Sequence, residues 1–236
     1  AHVPSHNNII KEVDGIIVHS EYSKQYAIDQ LGYHPNRVFV IPMGCGPVLA
    51  DDKDPTDFTL GFFGFCYYHK GLHKLIKSFK ELKDKYPKLR LKIVSSKPVQ
   101  DSQGYFEYCS QLFRELNSKQ AEWIQEYKTN EEVLKHLQQT TMVILPYDDY
   151  GSVGTSAAVR MAFQALRPVL VSNACWFDEL DHFIAPRIDH DLTSSIERFL
   201  SGYSFDLWKK TIAQYAYDTS WEKVVQKHRD LYDKFR

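Results

Sequence analysis

The chain has 236 residues, 43% of them hydrophobic, which is enough for one large domain or one domain with part of another. Basic and acidic side chains nearly cancel, 29 against 30, so a nucleic-acid binder working through a basic field is excluded. A bound anion has to be met by local groups, and no apolar run approaches the roughly 18 residues of a membrane span.

The opening Ala1-His2-Val3-Pro4-Ser5 is not a signal peptide. With no methionine before it, the chain is expected to be an excised piece of a longer protein. Residues 15–19 and 37–41 read as strands of one strand–helix–strand unit, too small to fold well alone. The polar, Pro-containing run Asp51-Asp52-Lys53-Asp54-Pro55-Thr56-Asp57 reads as a linker. Further strands follow at 58–63, 89–94, 121–124, 142–145 and 169–171. Most are continuous apolar runs, the pattern of strands covered on both faces. Between them lie helical stripes: Leu72, Leu75, Ile76, Phe79 and Leu82, then Phe106, Cys109, Leu112, Phe113 and Leu116, then Val133, Leu134 and Leu137. Thr129-Asn130-Glu131-Glu132 caps the third stripe, and an Ala-rich helix spans 157–166. Helices close the chain at 192–200, 205–217 and 221–235. This βαβα rhythm predicts an α/β fold with a doubly wound parallel sheet and a small partial second unit.

Two loops carry the chemistry. Strand 58–63 runs into Gly64-Phe65-Cys66-Tyr67-Tyr68-His69-Lys70-Gly71 and a helix. Ligands of open α/β sheets sit beyond the carboxyl ends of strands. A glycine there admits close approach, and a lysine at the helix start meets a phosphate. The Walker order is absent, and a turn glycine with a solvated lysine is the competing reading. After strand 142–145 comes Pro146-Tyr147-Asp148-Asp149-Tyr150-Gly151-Ser152-Val153-Gly154-Thr155-Ser156 and the Ala-rich helix. Exposed amides with the hydroxyls of Ser152, Thr155 and Ser156 form a cradle for a diphosphate. The competing reading is a Gly/Ser turn with Thr155 or Ser156 as helix cap.

Taken together, these segments resemble glycosyltransferase family 4. The carriers are Asp14-Gly15-Ile16-Ile17-Val18-His19-Ser20, Val38-Phe39-Val40-Ile41-Pro42-Met43-Gly44, Phe62-Phe63-Gly64 with Lys70-Gly71, and Ala162 through Pro168-Val169 with Phe177-Asp178-Glu179-Leu180. The resemblance spans nearly the whole chain. It implies the GT-B fold, two Rossmann-like domains facing a cleft, with this chain the C-terminal nucleotide-sugar-binding half and the tail of the N-terminal half. On that basis residues 1–48 are the remnant of the acceptor-side domain, 49–57 the linker and 58–185 the donor-binding domain. Residues 186–236 are C-terminal helices, the last packing back toward 1–48. Gly64, Lys70, Gly151, Ser152, Gly154, Thr155 and Ser156 are expected to hold the donor diphosphate. Phe65, Tyr67, Tyr147, Asp149 and Glu179 are candidate nucleotide or sugar contacts. For Glu179, a carboxylate in the first turn of a helix is the competing reading.

The resemblance further implies retaining, metal-independent sugar transfer from a nucleoside diphosphate sugar, with no cofactor, to a glycan or lipid-linked acceptor such as a growing surface polysaccharide. The acceptor would bind through the missing N-terminal domain. The setting would be cytoplasmic, peripheral at the inner face of a membrane. Three departures stand out. Phe65 occupies the place of an arginine that many members pair with the lysine on the diphosphate. Val153 and Met161 occupy the places of two glutamates, and Gly154-Thr155-Ser156 is similar to a subset with a Ser/Gly-rich loop instead. Most of the N-terminal domain is absent. A degenerate, non-catalytic scaffold that holds a nucleotide or partner therefore stays open, as does a nucleotide-sugar epimerase.

Cys45, Cys66, Cys109 and Cys175 show no CxxC pair, which favours reduced thiols over disulfides or zinc. His69 and His73 lie four apart without a third ligand, so no metal is expected. Asp52-Lys53-Asp54 and Asp189-His190-Asp191 match the letters of a metal-binding DxD, but one sits in the linker and the other before a late helix.

Overall fold

In the computed structural model the described residues are 13–49, 55–99, 104–149, 153–180, 184–202 and 206–236. Strands β1 (Ile16–Val18) and β2 (Val38–Val40) form a two-stranded parallel sheet joined through α1 (Glu21–Asp29). Ser20 caps that helix, its Oγ accepting the Ser23 N–H at 3.1 Å.

The main sheet contains β3 (Thr59–Phe63), β4 (Arg90–Val94), β5 (Ala121–Ile124), β6 (Met142–Leu145) and β7 (Val169–Val171). Its order is β5-β4-β3-β6-β7 and every pairing is parallel. The continuous apolar runs are buried on both faces, β6 and β7 along their whole length. Helices α2 (Leu72–Leu82), α3 (Tyr105–Leu116), α4 (Asn130–Gln138) and α5 (Ala157–Gln164) are the crossovers. With right-handed connections, α2 and α3 cover one face and α4 and α5 the other. Helix α6 (Leu192–Leu200) packs on α2, and α7 (Asp206–Asp218) on α5. The Thr129 cap forms a reciprocal box, with Glu132 returning to the Thr129 N–H at 2.9 Å.

Two departures from the sequence expectation have local causes. The Ala-rich helix ends at Gln164 because Pro168 disfavours helical backbone before it. Leu166 takes φ +54°, and the Arg167 N–H closes on the Ala162 carbonyl at 2.9 Å. After β7, Glu179 follows a 3-10 turn, Cys175–Phe177, not the start of an α-helix. Arg187 gathers that turn's carbonyls, donating to Phe177 O at 2.8 Å and Leu180 O at 3.0 Å.

The chain passes from the small sheet to the large one through residues 41–48 and returns at Thr219 and Ser220. The two passages are bonded, Cys45 N–H donating to Thr219 O at 2.8 Å. A Cβ on Gly44 would lie 2.4 Å from the Trp221 ring. Helix α8 (Trp221–Tyr232) then lays Val224 and Leu231 on Ile41, beside Ile17 and Phe39. Among the described residues no helix is long and apolar enough to cross a membrane.

Candidate functional site

Strands β3 and β6 are neighbours, and the chain departs from them to opposite sides of the sheet. That reversal is the topological switch point, where the connecting loops separate and leave a crevice at the carboxyl ends. Both informative loops therefore open at one rim, and several contacts join them. The Asp148 N–H donates to His69 O at 2.8 Å. Lys74, in the first turn of α2, forms an ion pair with Asp148. Gly71 has φ +70°, and a Cβ there would come within 2.1 Å of Pro146 O, so only glycine permits this approach.

Lys70 projects into the junction. Its Nζ stands 4.0 Å from the centroid of the Tyr147 ring and 5.3 Å from that of Trp176. Among the described residues it has no hydrogen-bond or ion-pair partner. Burial pushes its ammonium down to about 8. A cation held over ring faces, short of a counter-ion, is poised for an anion. His69 stacks between Tyr67 and Trp176, with centroids 5.7 Å away on each side. Burial, followed by the Lys70 charge, holds its imidazole below the usual range against the opposing pull of Asp148.

The second loop meets the same rings. Trp176 covers Gly154, where a Cβ would fall 2.5 Å from the ring. Ser156 is the N-cap of α5, yet its hydroxyl bonds Tyr147 Oη at 3.2 Å and caps nothing. Its N–H donates to Trp176 O at 3.3 Å. The first amides of α5 thus have no side-chain cap, which suits an exogenous anion. Gly151 and Ser152 lie outside the described residues.

Other candidates lie at the edge of this centre or away from it. Thr155 and Gly154 line a cavity of about 430 Å³ facing His19 and Ser23 of the small unit. Val153 lines the same cavity, while Met161 packs on the core. Asp149 is exposed and accepts from Cys175 Sγ at 3.6 Å. Glu179 turns inward to a buried ion pair with Arg160 at 2.6 Å, the two side chains 7% and 4% exposed. Burial raises its pKa against the opposing pull of Arg160. Gly64, with φ +139° and open space before it, borders a different cavity of about 220 Å³ with Phe65. Tyr67 is 37% exposed at the rim.

Sequence reasoning missed Trp176 as a site residue, and nothing in its neighbourhood signals the stack on His69. It also passed over Ser95 and Ser96, a polar pair directly after an apolar strand, which is a legible mark of a strand-end pocket. The four cysteines are buried and none is joined in a disulfide. Among the described residues no three His, Cys, Asp or Glu side chains gather in a metal-binding group.

The profile of a family described as "Glycosyl transferases group 1" matches residues 50–180, more than half of the chain. No curated protein matches significantly. A glycosyltransferase from Rickettsia africae superposes with a TM-score of 0.77 at 12% identity, over 99% of this chain and 68% of that one. The pneumococcal O-GlcNAc transferase GtfA, in complex with UDP and GlcNAc, gives 0.73 at 14%, over 97% and 46%. Anabaena HepE, in complex with UDP and glucose, gives 0.74 at 14%, over 98% and 67%. The chain thus spans between about half and two thirds of these neighbours' lengths, and it shares their fold, the Rossmann-like GT-B arrangement.

Proposed function

The chain belongs to the glycosyl transferases group 1 family, and from that premise we propose that it is the donor-binding, C-terminal half of a family 4 enzyme that transfers a sugar from a nucleoside diphosphate sugar to a glycan or lipid-linked acceptor. The observation that carries this reading is Lys70, a half-buried ammonium at the switch point without a counter-ion among the described residues, held over the Tyr147 ring, whose hydroxyl occupies the Ser156 side chain and leaves the start of α5 without a side-chain cap. Its charge and the α5 amides stabilise the departing diphosphate as negative charge builds on it. No metal is required for that task, and the transfer retains anomeric configuration. The neighbours' complexes with UDP support a uridine nucleotide as the first donor to try.

The small β1–β2 unit is the end of the acceptor-side domain, and the cavity between His19 and Thr155 is the inner end of the cleft. The acceptor enters from the rest of that domain, at the cytoplasmic face of a membrane. Calorimetry of the chain with UDP and GDP tests the reading. Micromolar to millimolar binding is expected, weakened about tenfold or more by Lys70→Ala, the worth of one charge-assisted bond. Absence of binding by either nucleotide would leave the family's fold serving as a scaffold.

A further inference from the structure

Consecutive residues of the turn before α2 serve two neighbourhoods. His69 stacks on Trp176 in the cleft, whereas Tyr68 lies over His73 of α2, with centroids 5.5 Å apart and planes 25° from parallel. Tyr105, buried at the start of α3, fixes His73 in place. Its hydroxyl accepts the His73 backbone N–H at 3.2 Å and bonds Nδ1 at 2.8 Å. Burial, followed by the charges of Lys74 and Lys77, holds the imidazole below its usual range against the pull of Asp148, so it is neutral at pH 7. One turn along α3, Tyr108 completes the group, its centroid 6.2 Å from that of His73 and 6.3 Å from that of Tyr105.

Tyr68 and Tyr108 are 48% and 41% exposed, and they are the only exposed large hydrophobic side chains on the described residues of this turn, α2 and α3. Docking faces for proteins or lipids gather contiguous apolar area. These rings are bordered by polar groups instead. Gln111 follows Tyr108 by three positions on the same helix face, and Lys77 Nζ stands 5.9 Å from the Tyr108 centroid. Lys74 is committed to Asp148 and Glu107 to Lys97. Lys77 has no hydrogen-bond or ion-pair partner among the described residues.

We propose that Tyr68 and Tyr108 form a platform for an acidic sugar chain, the part of the acceptor glycan behind the end being extended, with pyranose faces lying on the two rings and an acidic group on Lys77. The inference rests on the sugar-transfer reading above. A pyranose carries C–H bonds on its flat faces and hydroxyls around its rim, so it calls for a ring face edged by polar groups. Tyrosine supplies an apolar body and a polar tip together. The rings are held by His73 and Tyr105 before any ligand arrives, which lowers the cost of ordering them. The uncompensated ammonium favours an acidic chain over a neutral one. Tyr68 and Lys70 share one three-residue turn, so a glycan whose growing end meets the donor at Lys70 runs outward over Tyr68 and then Tyr108.

The test measures binding of tetragalacturonate and of neutral maltotetraose to the whole chain by calorimetry, with UDP as a separate probe. Tetragalacturonate should bind with a millimolar dissociation constant, and maltotetraose about threefold more weakly, the worth of one exposed charge contact. Tyr68→Ala and Tyr108→Ala should each weaken tetragalacturonate about fivefold, the scale of one lost ring contact. Tyr68→Phe, which keeps the ring, should bind like wild type. Lys77→Gln should remove the preference for the acidic chain and leave maltotetraose unchanged. UDP affinity should not change in any of these variants. No binding of tetragalacturonate, undiminished binding in both alanine variants, or equal affinity for the acidic and neutral chains would overturn the platform. A chain that binds UDP but neither oligosaccharide keeps the donor reading and loses the platform. One that holds tetragalacturonate through the tyrosines and ignores UDP does the reverse. Both tyrosines are exposed, so an unchanged unfolding midpoint is expected and serves as the control for folding.

Discussion

Replacing Lys70 by methionine should make the ligand-free protein more stable and, in the same step, diminish its response to nucleotide. The ammonium ordinarily titrates at 10.5 and burial brings it down to about 8. At pH 7 it is still charged, so the fold carries a penalty of about 3 kcal/mol, at 1.36 kcal/mol for each tenfold change in proton affinity. The faces of Tyr147 and Trp176, at 4.0 and 5.3 Å, return about 1–2 kcal/mol of this. Methionine keeps most of the apolar stem, so packing against the rings is retained. The net gain is about 1–2 kcal/mol, and a chain of this size moves by about 2–4 °C per kcal/mol. Thermal unfolding with and without UDP measures both effects. Wild type should rise with UDP by mass action, and Lys70→Met should start higher and rise less at the same UDP concentration. A lower midpoint for ligand-free Lys70→Met, or an undiminished rise with UDP, would refute the reasoning.

The remaining predictions concern pH, backbone and the buried pair. UDP affinity should fall as pH climbs through about 8, where free Lys70 loses its proton, and calorimetry across that range should show no such fall in Lys70→Met. Stability runs the other way: between about 8 and 10.5 the unfolded chain holds a proton that the folded one lacks, so wild type gains stability as pH rises there. Gly71→Ala combines left-handed backbone with a Cβ 2.1 Å from Pro146 O. It should cost about 2–4 kcal/mol in urea unfolding and loosen UDP binding. Arg160→Met leaves Glu179 buried and unpaired, at a cost of about 3–5 kcal/mol. Since burial already raises the Glu179 pKa, that variant should be least stable at high pH and recover as pH falls. Adding Glu179→Leu should restore most of the loss.

How much of this could be read from the residues differs between fold and site. Strands β5, β6 and β7 were legible to the residue, because runs such as Met142–Leu145 are bounded by polar turns and buried on both faces. The Thr129 cap was legible because its chemistry is local. The site was legible only as two loops at strand ends. Lys70 and Ser156 lie in their expected loops, but what makes Lys70 distinctive is the pair of rings above it, and Trp176 comes from a third loop that pairs with neither in sequence. Glu179 read as a nucleotide or sugar contact, or as a first-turn helix carboxylate, because its partner, Arg160, sits on a helix face that the Ala-rich pattern marks only as small. Ser95 escaped notice since an unsatisfied hydroxyl cannot be seen until its surroundings are counted.

The crossing at Cys45 and Thr219 has a mechanical consequence. The polypeptide links its small and large sheets twice, and both links are stapled together at one spot, under the Trp221 ring that roofs Gly44. Such a joint resists twisting and sliding but tolerates swinging, much as a door does on adjacent hinge plates. Any opening of the gap between His19 and Thr155 must therefore turn about this staple, and a bulkier residue at Gly44 would jam it while leaving both leaves intact.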